Sequence, residues 1–227
     1  MPKVFVVGAT GAVGKTLVKE LLKKEEFTEI VTFGRREIPE KELETVAEEN
    51  RARLTQEIIS DFGALPDSPS DQDKFAGFDA GFCCLGTTRK IAGSDEAFRR
   101  IDYDYVANIA QVAKDKGCEH FLYVSSIGAD KTSWFLYPRT KGEIEAKLES
   151  IGFSKLSIFR PSVLDRGEDA RFVEKLGAPL MNFIPKYKTM PLGKLSQVMM
   201  SKCLQPDEKE VLIMENPAIH HFADSNL

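Results

Sequence analysis

The opening residues constrain the fold more than any other stretch. Lys3–Val7 (KVFVV) is a short β-branched and aromatic run without polar alternation, as in a parallel strand buried on both faces. It runs straight into Gly8–Gly14 (GATGAVG), with glycines at positions 8, 11 and 14. Lys15–Lys24 then sets Leu17, Val18, Leu21 and Leu22 on one helical face. Strand, glycine turn and helix in that order begin a βαβ unit.

The alternation continues down the chain. Strands are expected at Ile30–Phe33, Glu57–Ser60, Asp79–Leu85, Phe121–Ser125, Leu156–Phe159 and Val211–Met214. Helices are expected at Ser94–Lys116 (stopped by Gly117), Tyr137–Ile151, Asp169–Leu176 and Leu195–Leu204. The charged stretch 37–56 reads as a helical excursion on the surface, and Pro66–Asp73 as a loop. This pattern predicts one α/β domain over residues 1–227. It is a single Rossmann-like, doubly wound parallel sheet, with residues after about 165 contributing a small C-terminal cap.

At 227 residues, such a domain buries a full core without disulfides or metal. The four cysteines (Cys83, Cys84, Cys118, Cys203) have neither CxxC spacing nor a histidine cluster beside them. They read as free thiols in a reducing compartment, and no metal site is expected. Cys83 and Cys84 are neighbours in a strand, so they face opposite sides of the sheet as small buried hydrophobes. A net charge of −4 argues against direct nucleic-acid binding. No apolar run is long enough to span a membrane, and the N-terminus enters its first strand without a cleavage region. The expected location is therefore cytoplasmic, with the nucleus or a membrane's cytosolic face also open. His120, His220 and His221 suggest no chemistry. Trp134 and Phe135 either line a substrate pocket or pack. Phe172, Leu176, Met181 and Phe183 read as core.

The glycine turn points to a dinucleotide. Gly8 allows a sharp exit from the strand, Gly11 lets backbone amides approach a pyrophosphate, and Gly14 lets the helix pack tightly. Thr10, Ala12 and Val13 complete the loop, and the helix N-terminus offers unpaired N–H groups to phosphate. At the end of the second strand, where an acidic residue would bind a ribose 2′-hydroxyl, the chain has Gly34-Arg35-Arg36. Two guanidinium groups there suit the 2′-phosphate of NADP(H). Asp61, ending the third strand, either accepts from the adenine amino group or caps a turn.

Tyr137 and Lys141 form Tyr-x-x-x-Lys, which on a helix puts phenol and ammonium on one face. An ammonium beside a phenol stabilises phenolate and makes the tyrosine a usable acid or base. Pro138 requires that this be the first helical turn. Ser125 and Ser126 end the fifth strand just upstream, and a hydroxyl there can bond a substrate carbonyl or satisfy local backbone.

Glycine loop, strand-end serine and Tyr-x-x-x-Lys follow in order. With GATGAVG (8–14), FGRRE (33–37), DAGFCCLGTTR (79–89), IDYDYV (101–106), GCEHFLYVSSIGADK (117–131), FLYPRTKGEIEAKL (135–148) and FRPSVL (159–164), the chain resembles the atypical short-chain dehydrogenase/reductases. More specifically, it resembles the Tat-interacting-protein-like oxidoreductases of animals and their fungal mitochondrial-membrane relatives. The resemblance implies NADPH along the glycine loop, Arg35 and Arg36 on its 2′-phosphate, and Leu85, Gly86 and Leu164 beside it. It implies Tyr137 and Lys141 at the nicotinamide, Ser125 as the catalytic serine with Ser126 as alternative, and a carbonyl substrate. Regulatory protein partners follow by family analogy, as does NADPH sensing with little turnover as the alternative function. The helices Ser94–Lys116 and Tyr137–Ile151 are those used for homodimers in the superfamily. The chain departs from the standard pattern where CLGTT replaces the Asn-Ala-Gly turn, and it lacks the long C-terminal substrate domain of extended members.

Overall fold

In the computed structural model, which describes residues 1–165, 187–206 and 208–226, β1 (Lys3–Val7) lies at the centre of a seven-stranded sheet. Val4, Phe5, Val6 and Val7 are wholly buried, as an uninterrupted apolar strand must be when helices cover both sides. β2 (Glu29–Gly34) and β3 (Leu54–Ile58) lie to one side. β4 (Ala80–Cys83), β5 (His120–Val124) and β6 (Lys155–Arg160) lie to the other. The order is β3-β2-β1-β4-β5-β6, and a last strand (Val211–Glu215) pairs outside β6. Every pairing is parallel. The strand order reverses between β1 and β4, so the loops leaving their carboxyl ends diverge and open a crevice.

Alternation along β1 feeds two cores. Val4 and Val6 pack with Leu17 of α1 (Ala12–Leu22), while Phe5 and Val7 pack with Ile109 of α7 (Val106–Asp115) and Ile144 of α8 (Leu136–Ile151). Between these lie short helices: α2 (Glu40–Leu43), α3 (Glu48–Arg51), α4 (Pro69–Asp73), α5 (Arg89–Ala92) and α6 (Asp95–Arg99). Cys83 falls in the second core and Cys84 against the first, so the adjacent thiols do face opposite sides.

Several expectations shift in detail. The excursion 37–56 does carry two helical turns, α2 and α3, but β3 begins at Leu54 rather than Glu57. As an edge strand it is only half-buried and has no apolar run to announce it. Arg53, just ahead of β3, donates to the Lys24 and Phe27 carbonyls at 2.7 and 2.8 Å and binds the end of α1 to the excursion. Pro66–Asp73 is a helical turn plus α4 rather than a loop. The helix expected at Ser94–Lys116 is interrupted by one wide π turn, Arg100–Tyr105, between α6 and α7.

The C-terminal third, expected to contribute a small cap, also completes the domain over its described residues. β9 (Val211–Glu215) extends the sheet, and α9 (Leu192–Leu204) and α10 (Asn216–Asn226) fill one helical layer. Beyond the carboxyl edge lies a two-stranded pair, β7 (Leu164–Asp165) with β8 (Met190–Pro191). The helix expected at 169–176 and the core residues Phe172, Leu176, Met181 and Phe183 lie outside the described residues.

Candidate cofactor and active site

The crevice is walled first by the glycine turn. Gly8 has φ +82°, a conformation that side-chain-bearing residues rarely adopt. A Cβ on Gly14 would stand 2.3 Å from the Gly8 carbonyl oxygen, so α1 starts hard against the turn. Gly11 is the N-cap and no side chain bonds the first-turn N–H groups; no acidic residue sits in that turn. The helix therefore presents free donors and its positive end to the crevice. Gly14→Ala is expected to destabilise by about 2 kcal/mol through overpacking and to weaken nucleotide binding. Urea unfolding and nucleotide titration check this; an unchanged midpoint would contradict the close approach.

Two hollows follow, meeting at Leu85. The first is lined by Gly8, Thr10, Gly34, Arg35, Arg36, Phe62 and Tyr105 among others. Arg35 and Arg36 are exposed, and among the described residues no carboxylate pairs with either. Asp61 does not line this hollow. Its Oδ1 accepts the Gly63 N–H at 2.8 Å and its Oδ2 meets Arg100 Nη2 at 2.9 Å. The Gly63 N–H, then the Tyr105 hydroxyl and Arg100, hold its carboxyl below the usual range. Oδ1 thus caps the local turn, as one of the two sequence readings had it, while Oδ2 is held by Arg100.

The second hollow brings together Gly11, Ala12, Val13, Leu85, Gly86, Ser125, Tyr137, Lys141 and Leu164. Tyr137, second residue of α8, is 39% exposed, with its ring 5.7 Å from that of Phe98. Pro138 follows in the first turn, as expected. Lys141, one turn on, is buried. Its Nζ donates to the Tyr123 hydroxyl at 2.9 Å and lies 2.9 Å from Asp102 Oδ1. Burial works against the ammonium, but the hydrogen bond to the Tyr123 hydroxyl and the Asp102 carboxylate together outweigh it and hold Lys141 well above the ordinary lysine range.

A third residue on that helical face was not anticipated. Glu145 is buried, and Ser125 Oγ donates to its Oε1. Arg160 clamps the same carboxylate through Nε at 3.0 Å and Nη2 at 2.5 Å, and reaches Glu215 at 2.7 Å through Nη1. A clamped carboxylate only accepts. The Ser125 hydrogen is thus committed to Glu145, and Ser125 can donate to another acceptor only after turning from it. Ser126 donates to the Ile127 carbonyl at 3.4 Å and lies outside the hollow. Asp102, Tyr123, Glu145 and Arg160 were missed by sequence reasoning, although Tyr137, Lys141 and Glu145 recur every fourth residue on one helix face. Arg160→Met leaves Glu145 buried without its cation and is expected to lose about 3 kcal/mol of unfolding free energy; urea denaturation measures it, and a loss near zero would refute the clamp.

Cys83 and Cys118 thiols are pushed up to about 12 by burial, and His120, buried against Ser157 at 2.9 Å, is pushed down to about 4. All three stay uncharged near neutral pH. Among the described residues no group of three or more His, Cys, Asp or Glu could hold a metal, and no helix is long and apolar enough to cross a membrane.

Fold and crevice together define a class, and comparison with known proteins agrees. The model of the NAD(P)H-binding family matches residues 8–171, and the chain belongs to that family. Within it, the chain is an atypical short-chain dehydrogenase/reductase of the group that includes Protein HTATIP2 and the FMP52 proteins. It is 40% identical to HTATIP2 of Rattus norvegicus over 226 residues, covering 96% of this chain and 88% of that one. It is 35% identical over 159 residues to FMP52, mitochondrial, of Candida glabrata (70% of this chain, 62% of that one). FMP52, mitochondrial, of Eremothecium gossypii is 31% identical over 228 residues (95% and 94%). Among solved structures, MoeE5 in complex with UDP-glucose and NAD superposes with TM-score 0.67 at 13% identity, covering 97% of this chain and 80% of that one. The PhqB reductase domain from Penicillium fellutanum superposes with TM-score 0.70 at 13% identity (93% and 66%). At such identity these two establish the fold alone. The relatives also correct the cytoplasmic location expected from the sequence, because the fungal proteins are named mitochondrial. Composition says nothing about such an address.

Proposed function

We propose that the chain is an NADPH-dependent reductase of a small carbonyl substrate. The observation that carries this reading is the second hollow, where Tyr137 and Lys141 stand opposite the open first turn of α1. The residues present fit the dinucleotide. The Gly8–Gly14 approach leaves a cradle that any side chain would fill, and Arg35 and Arg36 are left for a 2′-phosphate. NADPH, when bound, supplies the hydride.

Tyr137 gives its hydroxyl proton to the carbonyl oxygen, completing an alcohol. Lys141 stabilises the phenolate left behind, and its remaining hydrogen holds the nicotinamide ribose. Ser125 orients the carbonyl after releasing Glu145. The commitment of Ser125 to Glu145 also favours a second reading, NADPH sensing with little turnover. Titration of the purified protein with NADPH and with NADH tests the common base of both. Tight NADPH and weak NADH binding is expected; binding of neither would overturn the proposal.

A further inference from the structure

Lys141 is buried with three other titratable groups facing it besides Asp102: Cys83 from β4, Tyr123 from β5 and Tyr137 from its own helix. Burial raises the Cys83 thiol to about 12 and raises the Tyr123 phenol as well, so neither brings charge near neutral pH. Only Asp102 brings a carboxylate. It is wholly buried, and it stands in the wide π turn that interrupts the helix. Its Oδ2 accepts the Thr87 N–H at 2.8 Å, in the turn after β4. Its Oδ1 has no hydrogen-bond partner and meets Lys141 Nζ at 2.9 Å. The widened turn has a local use here, since π turns recur at functional sites.

We infer that Asp102 is a positioning residue that keeps Lys141 charged and fixes its Nζ, tying it to the Gly86-Thr87 turn that walls the same hollow. It touches neither substrate nor cofactor and acts through Lys141. This deepens the reading proposed above and rests on it only for its consequence in nucleotide binding. A buried ammonium with its carboxylate in place stays charged across the working pH range. Without that carboxylate, burial wins and the proton is lost at lower pH.

Asp102→Asn is the test, because an amide oxygen still accepts the Thr87 N–H while the charge is gone. Thermal melts without nucleotide give the first readout. In the variant Lys141 is depressed below its unfolded value, so its penalty is present at neutral pH and relieved as pH rises toward 10. The gap in Tm between wild type and D102N is therefore expected to narrow between pH 7 and pH 10. A gap constant with pH would mean a merely structural role and overturn the inference. If D102N fails to fold, D102N/K141M removes both buried charges and is expected to melt above K141M, which leaves Asp102 buried without its cation; a double variant no more stable than K141M overturns the inference too.

NADPH titration gives the second readout. Wild-type affinity is expected to stay flat from pH 7 to 9.5, while D102N affinity falls about tenfold as the charge-assisted bond from Lys141 is lost. A flat D102N profile beside a binding wild type counts against Asp102. A wild type that binds no NADPH counts against the proposed function, and the melts still decide the role of Asp102.

Discussion

Tyr137→Phe is expected to abolish carbonyl reduction while leaving NADPH affinity within about twofold. The hydroxyl it removes is the group placed to hand a proton to the substrate oxygen, and positioned acid–base groups contribute roughly 10²–10⁴-fold to rate. The ring it keeps continues to pack beside Phe98 at the mouth of the hollow, so the wall of the crevice is preserved. Steady-state kinetics on a substrate found by screening carbonyl compounds, with NADPH fluorescence titration beside it, checks both halves. A variant that keeps its kcat would remove Tyr137 as proton donor. A variant that keeps its effect in the cell without turnover would favour the sensing reading.

The parts of this site that were legible in the sequence are those fixed by local geometry. A glycine turn between an apolar strand and an amphipathic helix has one sensible reading, and GATGAVG sits where β1 ends and α1 begins. Tyr137 and Lys141 share a face because they are four apart on one helix, whatever surrounds it. The supporting groups were illegible because their meaning is tertiary. Asp102 looked like one acid among several in IDYDYV, and only the π turn and the crossing of α8 bring it to Lys141. Glu145 lay in plain view on the Tyr137–Lys141 face, yet its partner Ser125 follows β5 and Arg160 ends β6. The same contrast holds for the fold. β3 was displaced because a half-buried edge strand lacks an apolar run. α10 was not among the expected helices, although Asn216-Pro217 is an acceptable helix start. Buried Asn216 then accepts the Ser162 N–H at 2.9 Å and gives its amide to the Lys188 carbonyl at 2.8 Å, pinning the chain just before β7 and β8.

Replacing both Arg35 and Arg36 with alanine is expected to erase the preference for NADPH. Each guanidinium that bonds a 2′-phosphate contributes roughly 1.5–3 kcal/mol when the bond is charge-assisted. Both side chains are exposed, which places the pair near the lower end once solvent screening is counted. NADPH affinity should therefore fall about 10²-fold, and NADH affinity should barely change, because NADH has no 2′-phosphate to lose contact with. Two controls separate this from general damage to the crevice. Added salt should weaken wild-type NADPH binding more than NADH binding, since exposed charges within a Debye length of about 10 Å are screened. Lowering the pH through roughly 6, where a phosphate monoester gains its second proton, should narrow the wild-type preference and leave the double variant unmoved. Equal loss of both nucleotides in the variant would mean that the arginines shape the end of β2 rather than read the phosphate. The choice of cofactor would then have to come from elsewhere in the first hollow.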